Sequence, residues 1–163
     1  MTCVVADSGP LIALAVLDGL HWPGRLWGQL LVAQTVLDEC AGLAHKTGAR
    51  QIRRAVEEGL IEVKPDTLLN DDMPGGNLDP GESQSIWLAR HMRAVLLMDE
   101  RRGRKTASLL EIPHMGTCGL LVLAKRSGLI GQVNPLLNRL LAAGYFLAPA
   151  LVSDTLRVAG ESR

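Results

Sequence analysis

Cys3-Val4-Val5-Ala6-Asp7-Ser8-Gly9-Pro10-Leu11-Ile12-Ala13-Leu14 is the stretch that decides how this chain folds. Residues 2–6 form a short apolar run that stops at Asp7, as a strand buried on both faces of a parallel sheet does. Proline suits the first turn of a helix, so Pro10 opens an apolar helix reaching about Leu17. The same shape, an apolar strand, a polar residue and then a helix, recurs twice. Ala94–Met98 runs into Asp99 and a helix over Arg101–Leu110, and Pro113–Met115 runs into Thr117 and a helix over Thr117–Arg126.

The intervening segments fit the same scheme. Trp22-Pro23-Gly24 reads as a turn, Leu30–Ala33 as a second strand, Gln34–Ala41 as a helix, and Arg50–Glu58 as a helix stopped by Gly59. Ile61–Val63 is a short strand. Residues 66–81, with two prolines and three glycines, are a loop that includes Gly75-Gly76. Glu82–Met92, Pro135–Ala143 and Pro149–Val158 complete the helices. The order βα, βαα, βα, βα, βα, αα predicts an α/β fold: a three-layer α/β/α sandwich with a mostly parallel central sheet. At 163 residues the chain suits one domain, 1–163, ending in a helical extension at about 133–160. The stripe Leu136, Leu137, Leu140, Leu141 on that extension suits core packing first, and a homodimer or partner surface second.

Composition excludes several classes of function. Apolar residues are 47% and charged residues 21% of the chain, too apolar for disorder, and no apolar run approaches the ~20 residues of a membrane span. Seventeen basic and seventeen acidic residues cancel, so any nucleic-acid contact must come from a local patch. The N-terminal residues lack the pattern of a secretion signal, and three scattered cysteines without Cys-x-x-Cys spacing read as reduced thiols of a cytoplasmic protein. The histidines show no metal-ligand spacing, and no Walker loop or Gly-x-Gly-x-x-Gly fingerprint occurs.

The acids are the informative residues. Ligands of open α/β sheets gather outside the carboxyl ends of the strands, where Asp7 and Asp99 fall. Glu82 opens the helix leading to the Asp99 strand, and Glu39, beside Asp38, lies on the helix after Leu30–Ala33. Carboxylates crowded together repel unless a cation joins them, and Mg²⁺ or Mn²⁺ in such a pocket would serve phosphodiester hydrolysis. Each acid has a simpler reading as well: Asp7 as a helix cap, Asp79-Pro80-Gly81-Glu82 as a capping box, Asp38-Glu39 as a solvated helix face, and Asp99-Glu100 as a surface partner of Arg101-Arg102.

Val4-Val5-Ala6-Asp7-Ser8-Gly9-Pro10-Leu11-Ile12-Ala13-Leu14 resembles the opening of PIN-domain proteins, the metal-dependent ribonucleases that include VapC-type toxins. Val36-Leu37-Asp38-Glu39 is similar to their second acidic motif. Leu78–Ile86, Leu96–Arg104, Ile112–Thr117 and the ending from Asn134 to Gly160 resemble a PIN-like branch related to those toxins. The resemblance implies that Asp7, Glu39, Glu82 and Asp99 hold Mg²⁺ or Mn²⁺, that Ser8 and Thr117 orient ligands or water, and that RNA is the substrate. It also implies an antitoxin protein as partner. Two positions depart from the toxins: Glu82 replaces an Asp, and Leu97 replaces a Thr or Ser.

Arg101, Arg102, Arg104 and Lys105 follow Asp99 and could hold RNA phosphates there, or simply form a solvated helix start. Arg50, Arg53 and Arg54 form a second basic stripe, and the aromatic residues form no base-stacking motif. The alternative to a ribonuclease is a catalytically weak PIN-like module that binds nucleic acid or a protein partner. A phosphate-accepting receiver domain and an Asp-x-Asp phosphatase both fail, because Ser8-Gly9 follows Asp7 where each needs a second acid.

Overall fold

The strand that opens the chain lies at the centre of the sheet. In the computed structural model, which describes residues 3–69, 74 and 77–162, β1 (Cys3–Ala6) pairs with β2 (Gln29–Ala33) on one side and β4 (Val95–Leu97) on the other. β3 (Ile61–Lys64) and β5 (His114–Met115) form the edges, giving the order β3-β2-β1-β4-β5. Every pairing among the described residues is parallel. The chain leaves β1 toward β2 and β3, then returns to the other side of β1 for β4 and β5. The gap between β1 and β4 is therefore the switch point, where outgoing connections part and a crevice opens.

Alternation along the strands feeds two cores. Val4 and Ala6 join Leu30, Val32 and Leu97 on one face, covered by α1 (Ser8–Val16), α4 (Ala49–Glu57), α7 (Thr117–Arg126), α8 (Asn134–Ala142) and α9 (Pro149–Val158). Val5 joins Leu31, Leu96 and Met98 on the other, under α5 (Pro80–Met92) and α6 (Arg101–Leu109). The three layers are those the element order implies. Gly103 lets α6 approach the sheet, because a Cβ there would overlap the Met98 sulfur.

Local details differ from the sequence reading. α1 starts at Ser8 rather than near Pro10, since the first helical turn has free amides and tolerates a proline within it. Trp22–Trp27 is a short helix, α2, instead of a turn: Pro23 seeds it, and Trp22 is buried against Gly19, which has no room for a side chain. α3 (Gln34–Ala41) packs on both α1 and α5, bridging the two sides of the crevice. Of the loop expected over residues 66–81, residues 66–69 and 77–79 are irregular, Pro80 and Gly81 instead open α5 behind the Asp79 cap, and the Gly75-Gly76 pair, like Thr2, lies outside the described residues.

The helical extension belongs to the same core. Leu137 and Leu140 are fully buried, Leu136 packs against them, and only Leu141 of the stripe is exposed, so core packing accounts for the pattern. Glu161 closes the unit: its carboxylate accepts from the amides of Val133 (2.8 Å) and Asn134 (3.0 Å) and from Lys125 Nζ (2.9 Å). Lys125 also donates to the carbonyl of Ala159 at 2.8 Å, the structural role its helix-end position suggests.

Candidate active site

Asp7 leaves β1 at the switch point, and its amide donates to the Leu97 carbonyl at 3.0 Å, locking it to the end of β4. The side chain is 2% exposed. It occupies the N-cap position of α1 but makes no side-chain cap bond to the helix. Its Oδ1 instead accepts from Ser85 Oγ at 3.1 Å. Burial pushes the carboxyl up to about 7, against the pull of the Ser8 amide and Ser85, and the charges of Asp79 and Glu82 add to the rise.

Asp99 follows the buried Met98 at the end of β4 and is held from α7. The Thr117 amide donates to Oδ1 at 2.7 Å and the Thr117 hydroxyl to Oδ2 at 2.6 Å. This close approach needs Gly116, where a Cβ would stand 2.9 Å from Oδ1. Thr117 is itself 2% exposed. Leu97 is fully buried in the sheet, so the hydroxyls beside the acids come from Ser85 and Thr117. On the far flank, Tyr145 donates its hydroxyl to the Gly9 carbonyl. Burial, then the charges of Asp99, Cys40 and Asp7, hold that phenol well above its usual pKa.

Glu39 and Glu82 face each other across α3 and α5. Glu39 is half-buried and lies over Gly81, where a Cβ would meet its Oε2 at 2.7 Å. Its neighbour Asp38 is exposed and accepts from Gln34 at 2.8 Å, so Glu39 is the acid turned inward. Burial and then Asp79 raise the Glu39 pKa. Glu82 does form the capping box: its amide donates to Asp79 Oδ1 at 2.8 Å, and its Oε2 accepts from the Asp79 amide at 3.1 Å. Even so, burial raises its pKa, with Asp79 and Glu100 adding to the effect against that backbone bond.

Asp7, Glu39, Asp79 and Glu82 thus act on one another electrostatically, and Asp99 faces the same junction of β1 and α1. Among the described residues none of the five forms a salt bridge. This all-oxygen set, only partly offset by the charges of Lys46 on Glu39 and Arg102 on Glu82, suits a hard divalent cation in its chemistry. As the side chains stand, no three His, Cys, Asp or Glu groups among the described residues converge closely enough to hold one.

Basic residues meet the acids along a cleft of about 860 Å³, where Asp79, Glu82 and Glu100 face Arg101, Arg102 and Lys105. All three cations are exposed and none is in a salt bridge among the described residues, though Arg102 reaches the Asn77 carbonyl at 3.5 Å. Arg104 points elsewhere, toward Gly116 on the Asp99 side. Ser8 begins α1 half-buried, and its carbonyl accepts from Cys40 Sγ at 3.9 Å. Arg50, Arg53 and Arg54 share a groove with Glu57 and Glu58, and Arg54 pairs with Glu58 at 2.7 Å, so that stripe is partly self-neutralised. His114 bonds Ser108 Oγ at 2.8 Å.

Sequence reasoning missed Ser85, Tyr145 and the charge of Asp79. Ser85 stands three positions after Glu82 on α5, a helical spacing that shares its face. Tyr145 carried no signal, because it arrives from the connection between α8 and α9.

A family model described as a PIN domain matches residues 3–161. Among solved structures, a PilT N-terminus domain protein, SSO1118, from the hyperthermophilic archaeon Sulfolobus solfataricus P2 is similar at 17% identity and a TM-score of 0.56, over 76% of this chain and 93% of that one. PAE2754 from Pyrobaculum aerophilum is similar at 17% identity and a TM-score of 0.44, over 68% of this chain and 88% of that one. A comparison with curated proteins returns no match.

Proposed function

This chain belongs to the PIN-domain family, whose members are generally nucleases, and from that premise we propose that it is an Mg²⁺- or Mn²⁺-dependent endoribonuclease. The observation that carries the reading is the pairing of Asp7 and Asp99 at adjacent strand ends, beside Glu39 and Glu82, whose pKa values stay raised although Lys46 and Arg102 pull them down.

In this reading Asp7, Glu39, Glu82 and Asp99 would hold the ion, which would supply an activated water and neutralise charge on the phosphodiester. Ser85 keeps the Asp7 carboxylate oriented, and Thr117 does the same for Asp99 by occupying one lone pair on each oxygen. Ser8 and its amide sit beside Asp7 and help orient bound water. Arg101 and Arg102 line the cleft next to Glu82 and would hold the RNA backbone there, with Arg104 acting from the Asp99 side. A cytoplasmic toxin paired with an antitoxin protein, acting as a homodimer, completes the proposal.

The test is cleavage of single-stranded RNA with Mn²⁺ by the full chain. Cleavage is expected, and Asp7→Asn and Asp99→Asn should each abolish it. A second reading, a catalytically weak module that binds nucleic acid or a protein, is favoured by the capping box that occupies Glu82 Oε2 and by the open spacing of the acids. RNA left intact after long incubation, with Mn²⁺ still bound, would select it.

A further inference from the structure

Tyr145 is the single tyrosine of the chain. It lies between α8 and α9, half-buried, with its hydroxyl on the carbonyl of Gly9. Gly9 is the second residue of α1, two positions beyond Asp7. A carbonyl oxygen has two lone pairs, so this bond can coexist with the helical ladder of α1.

Asp99 is the third group at this point. A Cβ on Gly9 would stand 3.3 Å from Tyr145 Oη and 3.5 Å from Asp99 Oδ2. The phenol and the carboxylate therefore share the space that the glycine leaves open. The phenol proton goes to Gly9, and both donors on Asp99 come from Thr117. Tyr145 thus does not hold Asp99 by a hydrogen bond. It sets the position of the first turn of α1, and through it Asp7, relative to Asp99.

We propose that Tyr145 is a positioning residue, clamping the β1–α1 junction against Asp99 and making the α8–α9 pair part of the active-site architecture. The inference rests on the nuclease reading above. Displacements near 1 Å in a catalytic constellation can cost on the order of 100-fold in rate, so losing the clamp has a measurable signature.

The experiment compares the full chain with Tyr145→Phe, which removes only the hydroxyl, with Asp99→Asn, and with Glu161→Gln. The last weakens the bonds from Val133, Asn134 and Lys125 that close the C-terminal helices, none of which involves the candidate acids, and serves as a stability control. Each is measured for kcat and KM on single-stranded RNA, for Mn²⁺ affinity by calorimetry, and for Tm. Tyr145→Phe should lower kcat by about tenfold or more and weaken Mn²⁺ binding severalfold, with KM within about twofold. Glu161→Gln should lower Tm and leave kcat unchanged. Wild-type kcat and Mn²⁺ affinity in Tyr145→Phe would overturn the clamp, while the nuclease reading stands as long as the wild type cuts RNA and Asp99→Asn does not. Activity losses that follow Tm equally in Tyr145→Phe and Glu161→Gln would also overturn it. A wild type that neither cuts RNA nor binds Mn²⁺ removes both.

Discussion

Ser85 donates its hydroxyl to the carboxylate of Asp7 from 78 positions along the chain, and both side chains are almost completely buried. A buried carboxylate with one hydroxyl donor and acids around it is a source of instability that depends on pH.

Asp7 is raised to about 7, so its neutral form is favoured in the fold. The stability this gives is fully present below the unfolded value near 4 and is lost as pH rises through the folded value near 7. Without metal, the wild type should melt at a higher temperature at pH 5 than at pH 8. Asp7→Asn should be more stable than wild type at pH 8, by roughly 1–4 kcal/mol, and should flatten that part of the profile. Thermal melts in a chelating buffer at both pH values decide it, and a less stable Asp7→Asn at pH 8 would contradict the account.

Replacing Asp99 should have the opposite effect on stability to replacing Asp7, because Thr117 donates to both of its oxygens. Asp99→Asn turns one acceptor into a donor facing the Thr117 hydroxyl, so Tm should fall, not rise. Thr117→Val should cost about 1–3 kcal/mol and at least tenfold in kcat, and Thr117→Ser should recover most of both. Denaturant melts together with cleavage rates test the pair.

Gly81 leaves room for the Glu39 carboxylate. Gly81→Ala places a methyl 2.7 Å from the present position of Oε2, and that flexible side chain can swing aside cheaply. Stability should change by less than about 1 kcal/mol, while Mn²⁺ affinity should drop severalfold. Asp38→Asn should leave affinity untouched, since Asp38 is exposed and bonded to Gln34. Calorimetric titration of the two variants identifies the second acid.

Arg101, Arg102 and Lys105 should serve substrate binding more than the chemical step. Replacing Arg101 and Arg102 by Ala should raise KM for RNA with kcat within a few-fold, and should reduce the salt slope of log affinity by roughly 0.7 for each RNA phosphate no longer neutralised. Binding titrations across a salt series read this directly. Arg53→Ala should leave the slope unchanged, because its groove also holds Glu57 and Glu58.

The strands were legible because burial on both faces demands unbroken apolar runs, as at Val4-Val5-Ala6 and Leu96-Leu97-Met98, all fully buried. The start of α5 followed from proline and capping chemistry, the Asp79–Glu82 box forming as its spacing implies, whereas α1 begins two residues before its proline and without a side-chain cap. Trp22–Trp27 was misread because a proline and a glycine suggest a turn locally, whereas burying Trp22 favours a helix. For the acids, the strand-end rule brought Asp7 and Asp99 to one edge, yet spacing alone could not tell Glu39 from Asp38. That choice depends on which face of α3 meets α5.

Sequence alone therefore determined the layered α/β architecture and the two acids at strand ends, because hydrophobic periodicity and local turn chemistry act over a few residues and leave their mark in the order of the chain. Only the tertiary structure decided that Ser85 holds Asp7, that Thr117 grips both oxygens of Asp99, and that Tyr145 reaches Gly9 from the far end of the chain. Those bonds join segments distant in sequence, and their distances are set by how helices pack on the sheet, which no local pattern encodes.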